Sequence, residues 1–449
     1  MSKSVFFLKK IKKFNKKIIV DGDKSLSIRW ALLASIAIGK SRAYNLLKSE
    51  DVLSTLKSLK KLGVRIRYTK NFYEIYGNGL DGYNFKKNLI INAGNSGTLG
   101  RLIPALLIKS TKKIKMIGDK SLSKRDFSRV IDPLTKFGVT FFPKNKKTLP
   151  LIIKGTNFVR PIKYFENRGS AQCKSSVMLA ALNSPGKTLI KAKKSRDHTE
   201  ILFKTLNIPI KVIKTEKYDY ITVTGRKQFK SLNYNIPSDI SSSSFFIVLT
   251  LLVKNSILTI KNVNINPTRT GIISILNKMG AKIILKNKKK YKGELIADIF
   301  VKSAKHLKAI NCPIKYNTKA IDEFLIIFLV AARSKGISYF KNLQELNQKE
   351  SKRLDWGSKI LNMIGVKTKL TNSSIKIYGQ PNLELKKNYK INNYLKDHRI
   401  MAMSAIAALA LGGKWKIDDA ESINTSFPSF LKIIRKLGGK YKNEIKKKY

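Results

Sequence analysis

Six segments of the chain open an apolar run with small polar or charged residues: 23–29 (DKSLSIR), 95–101 (NSGTLGR), 170–175 (SAQCKS), 238–244 (SDISSSS), 320–323 (AIDE) and 396–399 (KDHR). Each reads as a helix N-cap followed by a buried helix. A cap alone explains any one of them. Four also carry Lys or Arg in about the first turn, where a cation is disfavoured by the positive end of the helix dipole. Placing cations there repeatedly makes sense if helix N-termini converge on something strongly anionic. The expected ligand chemistry is therefore phosphate, carboxylate or both.

Residues 349–353 (KESKR) read the same way. If the segment is helical, Lys349 and Arg353 stand four apart on one face. Such a like-charge pair costs a few tenths of a kcal/mol, which a bridging anion removes. A solvated basic face accounts for the spacing equally well.

Elements must hold these residues in place. Candidate strands at 18–20, 89–91, 151–153, 220–223 and 256–260 alternate with helical stretches of about ten to fifteen residues, which argues for an α/β or α+β architecture. The helix starts form a weak internal repeat. The 449 residues suffice for two or three domains. A hydrophobic content of 43% excludes a disordered polycation despite the net charge of +62. Only 16 of the cations are arginine, and the lysines are spread through almost every segment beside abundant Asn and Ile, the residues of A/T-rich codons. No nucleic-acid partner is expected from such a distribution, although net charge alone suggests one. Cys173 and Cys312 are too few for a disulfide framework or a structural zinc site. The apolar runs 324–332 and 401–411 fall short of the roughly twenty residues of a membrane span. The first residues lack a secretory signature. A soluble, cytoplasmic protein is expected.

An ordered series, 24–29 (KSLSIR), 95–98 (NSGT) with Arg101, 118–125 (GDKSLSKR), 170–175 (SAQCKS), 195–200 (SRDHTE), 321–324 (IDEF), 349–354 (KESKRL), 397–399 (DHR) and 425–428 (TSFP), resembles the 5-enolpyruvylshikimate-3-phosphate synthase family over about residues 18–439. The TSFP segment is similar to the second subclass of that family. The resemblance implies an α/β (α+β) two-domain enolpyruvyl transferase fold. Six βαβαββ units would form inside-out α/β barrels with buried helices. It implies one domain from 1–21 plus 238–449, a second from 22–237, and an active site in the cleft between them.

The implied reaction moves the carboxyvinyl group of phosphoenolpyruvate to the 5-hydroxyl of shikimate 3-phosphate, without a metal or cofactor. Both substrates are multiply anionic, in agreement with the helix-start argument. By resemblance Asp322 is the general base, Glu350 the proton donor to carbon 3, and Lys24 a proton-transfer residue touching both substrates. Glu350 lies among cations that favour its ionised form, so its role as an acid depends on burial. Lys24, Ser25, Arg29, Ser170, Ala171, Gln172, Arg196, Asp322 and Lys349 would hold shikimate 3-phosphate. An ion pair of Arg196 with Asp197 or Glu200 competes with that role. Lys24, Gly97, Arg125, Gln172, Arg353 and Arg399 would hold phosphoenolpyruvate, three guanidiniums suiting a carboxylate and a phosphate by bidentate contact. Asn95 is read as shaping its loop, Arg101 as either structural or functional, and His398 as orienting Arg399.

Two positions depart from the family pattern. Asp126 stands where many members have proline, and Thr425 where some have a lysine contacting phosphoenolpyruvate. Glyphosate tolerance in the second subclass is linked to an alanine where this chain has Gly97, so inhibition by glyphosate is expected. The alternatives are the sister enzyme acting on UDP-N-acetylglucosamine and a basic nucleic-acid-binding protein. Lys24–Ser25 stands where the sister enzyme carries a Lys–Asn pair. A monomer is expected.

Overall fold

The computed structural model describes residues 2–446. The chain divides into two units, one of Met1–Asp21, Pro237–Lys289 and Leu295–Tyr449, the other of Gly22–Ile236 with Lys290–Glu294. That last turn groups with the second unit through Tyr291, stacked on Tyr234, and through Glu294, whose carboxylate lies 2.6 Å from His198 Nδ1.

Among the described residues the second unit holds three four-stranded sheets built on one pattern. Leu89–Asn92 runs parallel to Ile114–Ile117, which pairs antiparallel with Leu151–Lys154, and that strand with Thr140–Phe142. Lys163–Glu166, Lys187–Lys193, Tyr218–Thr224 and Ile210–Lys214 repeat it. So do Tyr234–Asn235, Ile38–Tyr44, Phe72–Asn78 and Arg65–Tyr68. A parallel pair needs a crossover, usually a helix, and here Gly97–Leu106 and Ala171–Ala181 fill it.

The first unit follows the same plan. One sheet orders Asn15–Ile18, Ile257–Asn264, Glu294–Lys302 and Ile283–Tyr291. Another orders Leu385–Ile391, Gly412–Ile417, Ser2–Phe7 and Lys442–Lys446, so strands near both ends of the chain complete it. In the third, Ile337–Phe340, Ile375–Tyr378 and Thr368–Leu370 pair regularly, and the fourth position is reduced to parallel bridges at Lys308–Lys335 and Asn311–Tyr339. The strand expected at 18–20 lies earlier, at Asn15–Ile18.

Crossover helices form the interior of each unit. Ile240–Leu252, Phe324–Ala332 and His398–Leu411 are buried at every position, and they pack on one another. Lys24–Ile36 is buried from Leu26 onward and Ala171–Ala181 from Cys173 onward. A helix that is apolar all round must be enclosed, and sheets supply the enclosure. Two of the buried hydroxyls bond back to the backbone one turn earlier: Ser243 donates to the Asp239 carbonyl at 2.8 Å and Thr250 to that of Phe246 at 2.7 Å. Strands such as Lys187–Lys193 alternate buried and outward residues, the period-two signature of a sheet with one wet face. Lys187 and Lys193 lie on that outer face, which places part of the charge excess on solvated sheet surface. No helix among the described residues is long and apolar enough to cross a membrane.

Candidate active site

In the second unit the expected residues gather at helix starts. Asp23 caps Lys24–Ile36 by accepting the Leu26 N–H at 2.9 Å. This sets Lys24 in the first turn, with its Nζ 2.8 Å from Asp51 Oδ2. One turn later Arg29 is buried. Its Nε donates to Thr199 Oγ1 at 2.9 Å, Nη2 to Ser175 Oγ at 3.0 Å and Nη1 to the Ser25 carbonyl at 3.2 Å. Ser175 and Thr199 lie 2.6 Å apart. Two helices thus fix the guanidinium that faces the start of its own helix.

Ser170 caps Ala171–Ala181, accepting the Cys173 N–H at 3.3 Å. Its own N–H is taken by the buried Glu166 carboxylate at 3.0 Å, which also accepts from Arg168 N–H at 3.1 Å. Burial pushes the Glu166 pKa up, against these backbone donors, which lower it. In the first turn of that helix Gln172 accepts from Arg101 and donates to Thr98 Oγ1 at 2.9 Å. Arg101 is therefore a positioning residue for Gln172. Arg125 Nη2 donates to Asn95 Oδ1 at 3.0 Å, and Asn95 donates to Asp119 at 2.6 Å. A Cβ on Gly97 would lie 2.9 Å from Arg125 Nη1 and 3.3 Å from Arg101 Nη1, so glycine lets both guanidiniums approach that helix start. Asp126, in place of a proline, accepts the Ser128 N–H at 2.8 Å and its hydroxyl at 2.7 Å, which fixes the turn into Ser128–Lys136. Arg196 precedes the helix carrying Thr199. The acids beside it have lysine partners: Asp197 with Lys214 at 3.0 Å and Glu200 with buried Lys174 at 2.6 Å.

The first unit brings Asp322, Lys349, Glu350, Arg353 and Arg399 together. Asp322 Oδ1 lies 3.5 Å from Lys349 Nζ and 3.4 Å from Arg353 Nη1. Glu350 pairs directly with Arg353 Nη2. Arg353 also meets Asp397, Nε to Oδ2 at 2.9 Å. Burial opposes the charge on Arg353, but the carboxylates of Asp397, Glu350 and Asp322 outweigh it and raise its pKa above the ordinary value. Arg399 Nη1 donates to the Asp322 carbonyl at 2.6 Å, and its backbone N–H to Asp397 Oδ1 at 3.0 Å.

Two local expectations are corrected. Residues 349–353 are not one helical segment: Lys349 closes the turn Gln344–Gln348, and the helix begins at Arg353. Lys349 and Arg353 converge because a turn folds both onto Asp322. The helix Phe324–Ala332 has Glu323 at its N-cap position and no side-chain cap bond, so Asp322 is not its cap. Thr425 turns its hydroxyl back to the Ser422 carbonyl at 2.8 Å.

Residue types alone did not pick out Asp51, Glu166, Ser175, Thr199 or Asp397. Asp397 carried a signal, an acid two residues before a site arginine at a helix start. Asp51 carried none, because a strand and a turn separate it from Lys24 in the chain.

A family model for EPSP synthase (3-phosphoshikimate 1-carboxyvinyltransferase) matches residues 8–434. The chain is 39% identical over 425 residues to the 3-phosphoshikimate 1-carboxyvinyltransferase of Vesicomyosocius okutanii, covering 93% of this chain and 94% of that one. It is 37% identical over 421 residues to the enzyme of the same name from Streptococcus mutans, covering 93% and 96%. The solved EPSP synthase of Acinetobacter baumannii superposes with a TM-score of 0.86 at 32% identity, over 99% of this chain and 100% of the other. An enolpyruvyl transferase from Streptomyces tendae shares the fold at 13% identity, TM-score 0.76, over 99% of each chain. These matches favour the shikimate enzyme over the UDP-N-acetylglucosamine alternative, and the chain belongs to the EPSP synthase family.

Proposed function

We infer that this chain transfers the carboxyvinyl group of phosphoenolpyruvate to the 5-hydroxyl of shikimate 3-phosphate and releases phosphate. The observation that carries the mechanism is that two carboxylates, Asp322 and Glu350, share the buried guanidinium of Arg353. The reaction needs one group to take a proton from the hydroxyl and another to give one to carbon 3. Asp322 does the first and Glu350 the second, as the new O–C bond forms at carbon 2. Glu350 then takes a proton back from the methyl group while the C–O bond to phosphate breaks. Lys24, oriented by Asp51, supplies the proton that leaves with phosphate, and the proton that Asp322 took from the hydroxyl replaces it, so that both groups return to their starting state.

Cations held in place before the substrates bind would stabilise the charge that develops on carboxylate and phosphate. Arg125, Arg353 and Arg399 take the carboxylate and phosphate of phosphoenolpyruvate, and Gly97, Gln172 and Lys24 are assigned to the same substrate. Ser25, Arg29, Ser170, Ala171, Gln172, Arg196 and Lys349 hold shikimate 3-phosphate, with Lys24 and Asp322 at its reacting hydroxyl. The protein acts in the cytoplasm as a monomer, without nucleic-acid or membrane partners, and light scattering should return one chain of 50.8 kDa.

Phosphate release from phosphoenolpyruvate tests the reading, with shikimate 3-phosphate, with UDP-N-acetylglucosamine and with neither. Release only with shikimate 3-phosphate supports it. Release independent of that substrate overturns it.

A further inference from the structure

Behind Arg399 lies a buried polar chain that the reaction itself does not use. Arg269 is 2% exposed, and its Nη2 donates to Ser241 Oγ at 2.8 Å, with Asp239 Oδ1 at 3.3 Å. Ser241, in the first turn of Ile240–Leu252, donates its hydroxyl proton to Glu323 Oε1. Glu323 is 1% exposed, and the same Oε1 lies 3.9 Å from Arg399 Nη1. That nitrogen also bonds the Asp322 carbonyl at 2.6 Å.

The direction of this chain is fixed by its chemistry. A hydroxyl has one proton to give. Arg269 has only protons to donate, so it turns the Ser241 lone pair towards itself and the O–H towards Glu323. Glu323 is thereby held as an acceptor in one rotamer, with its charge beside Arg399. A buried carboxylate is costly unless cations and donors surround it, and here a guanidinium stands at each end of the chain.

We propose that Arg269, Ser241 and Glu323 are positioning residues that set the Arg399 guanidinium for phosphoenolpyruvate. The proposal rests on the assignment of Arg399 to that substrate. Asp239 takes part by capping the helix that carries Ser241, accepting its N–H at 2.7 Å. Arg399 is thus held from two sides of one turn, by the carbonyl of Asp322 and the side chain of Glu323.

Steady-state kinetics on the full-length chain test it with Ser241→Ala, Glu323→Gln and Arg399→Lys. Ser241→Ala should raise KM for phosphoenolpyruvate by about five- to tenfold. KM for shikimate 3-phosphate and kcat should change by less than about twofold, and Tm by no more than a few degrees. Glu323→Gln should do the same more strongly. Adding Ser241→Ala to Arg399→Lys should bring little further loss, because the serine acts through the arginine. The positioning role alone is overturned if Arg399→Lys raises KM for phosphoenolpyruvate while Ser241→Ala and Glu323→Gln do not. It is overturned equally if the two effects multiply, or if both substrates lose affinity in parallel. If Arg399→Lys leaves KM for phosphoenolpyruvate unchanged, the assignment of Arg399 fails and the proposal with it.

Discussion

Arg353 and Asp397 form a two-point pair, Nε to Oδ2 at 2.9 Å and Nη2 to Oδ1 at 3.2 Å. The same carboxylate accepts the Ser351 hydroxyl at 2.9 Å and the Arg399 backbone N–H at 3.0 Å. One fully buried acid therefore sets both Arg353 and Arg399, the two arginines proposed to bind phosphoenolpyruvate from the first unit. Removing one partner of a buried ion pair costs about 3–5 kcal/mol, and Asp397→Ala should lose stability of that order in urea unfolding. Asp397→Asn keeps an acceptor and should unfold later than the alanine variant, yet still raise KM for phosphoenolpyruvate. An alanine variant as stable as the parent would contradict this role.

Lys24 and Asp51 make a second prediction. The lysine is partly exposed and the acid nearly buried, 2.8 Å apart. Lys24→Met should lower kcat by about a hundredfold or more, the usual worth of a proton-transfer group. Asp51→Asn should lower it less, by about tenfold, since it disturbs only the orientation of the lysine. Both should melt close to the parent protein. Rapid-quench kinetics separate these changes from altered binding.

Much of this was legible in the sequence, for a physical reason. Caps and apolar runs are local, and five of the six helix starts carry a side-chain cap bond at Asp23, Ser96, Ser170, Asp239 or Asp397. The sixth has Glu323 at its cap position with no side-chain cap bond, and Asp322 beside it pairs with Lys349 and Arg353. What stayed hidden was set by tertiary placement. Thr199 reaches Arg29 across 170 residues of chain, and Lys349 reaches Asp322 through a turn that helical spacing does not describe. Tyr234–Asn235 is only two residues long, too short for any periodicity to mark it as a strand.

Gly97→Ala should weaken phosphoenolpyruvate binding without unfolding the protein. The new Cβ meets the end of Arg125, 2.9 Å away, and a flexible side chain can yield by a few tenths of an ångström. KM for phosphoenolpyruvate should rise by roughly three- to tenfold through misplacement of that guanidinium, with KM for shikimate 3-phosphate little changed. Equal KM values for parent and variant would remove Gly97 from the site.

Both cysteines should be slow towards thiol reagents in the native protein. Burial pushes Cys312 up to about 11 and raises Cys173 as well. The thiolate is the reactive form, so near pH 8 native modification should be negligible. Modification of Cys312 should quicken by about tenfold per pH unit up to that pKa, and both thiols should react at once in denaturant. The unfolded thiols ionise first, so stability is lost as pH rises from about 9 towards 11. Rapid labelling of the folded chain at pH 8 would contradict this burial.

The division of labour between Asp322 and Glu350 is tested most directly by single-turnover rapid quench with both substrates bound. Asp322→Asn should bind both with affinities near those of the parent and form the tetrahedral intermediate at least about a hundredfold more slowly. Glu350→Gln should slow protonation of carbon 3, read as loss of deuterium uptake from D2O into the methyl group. An Asp322→Asn variant that forms the intermediate at the parent rate would contradict the assignment of the base.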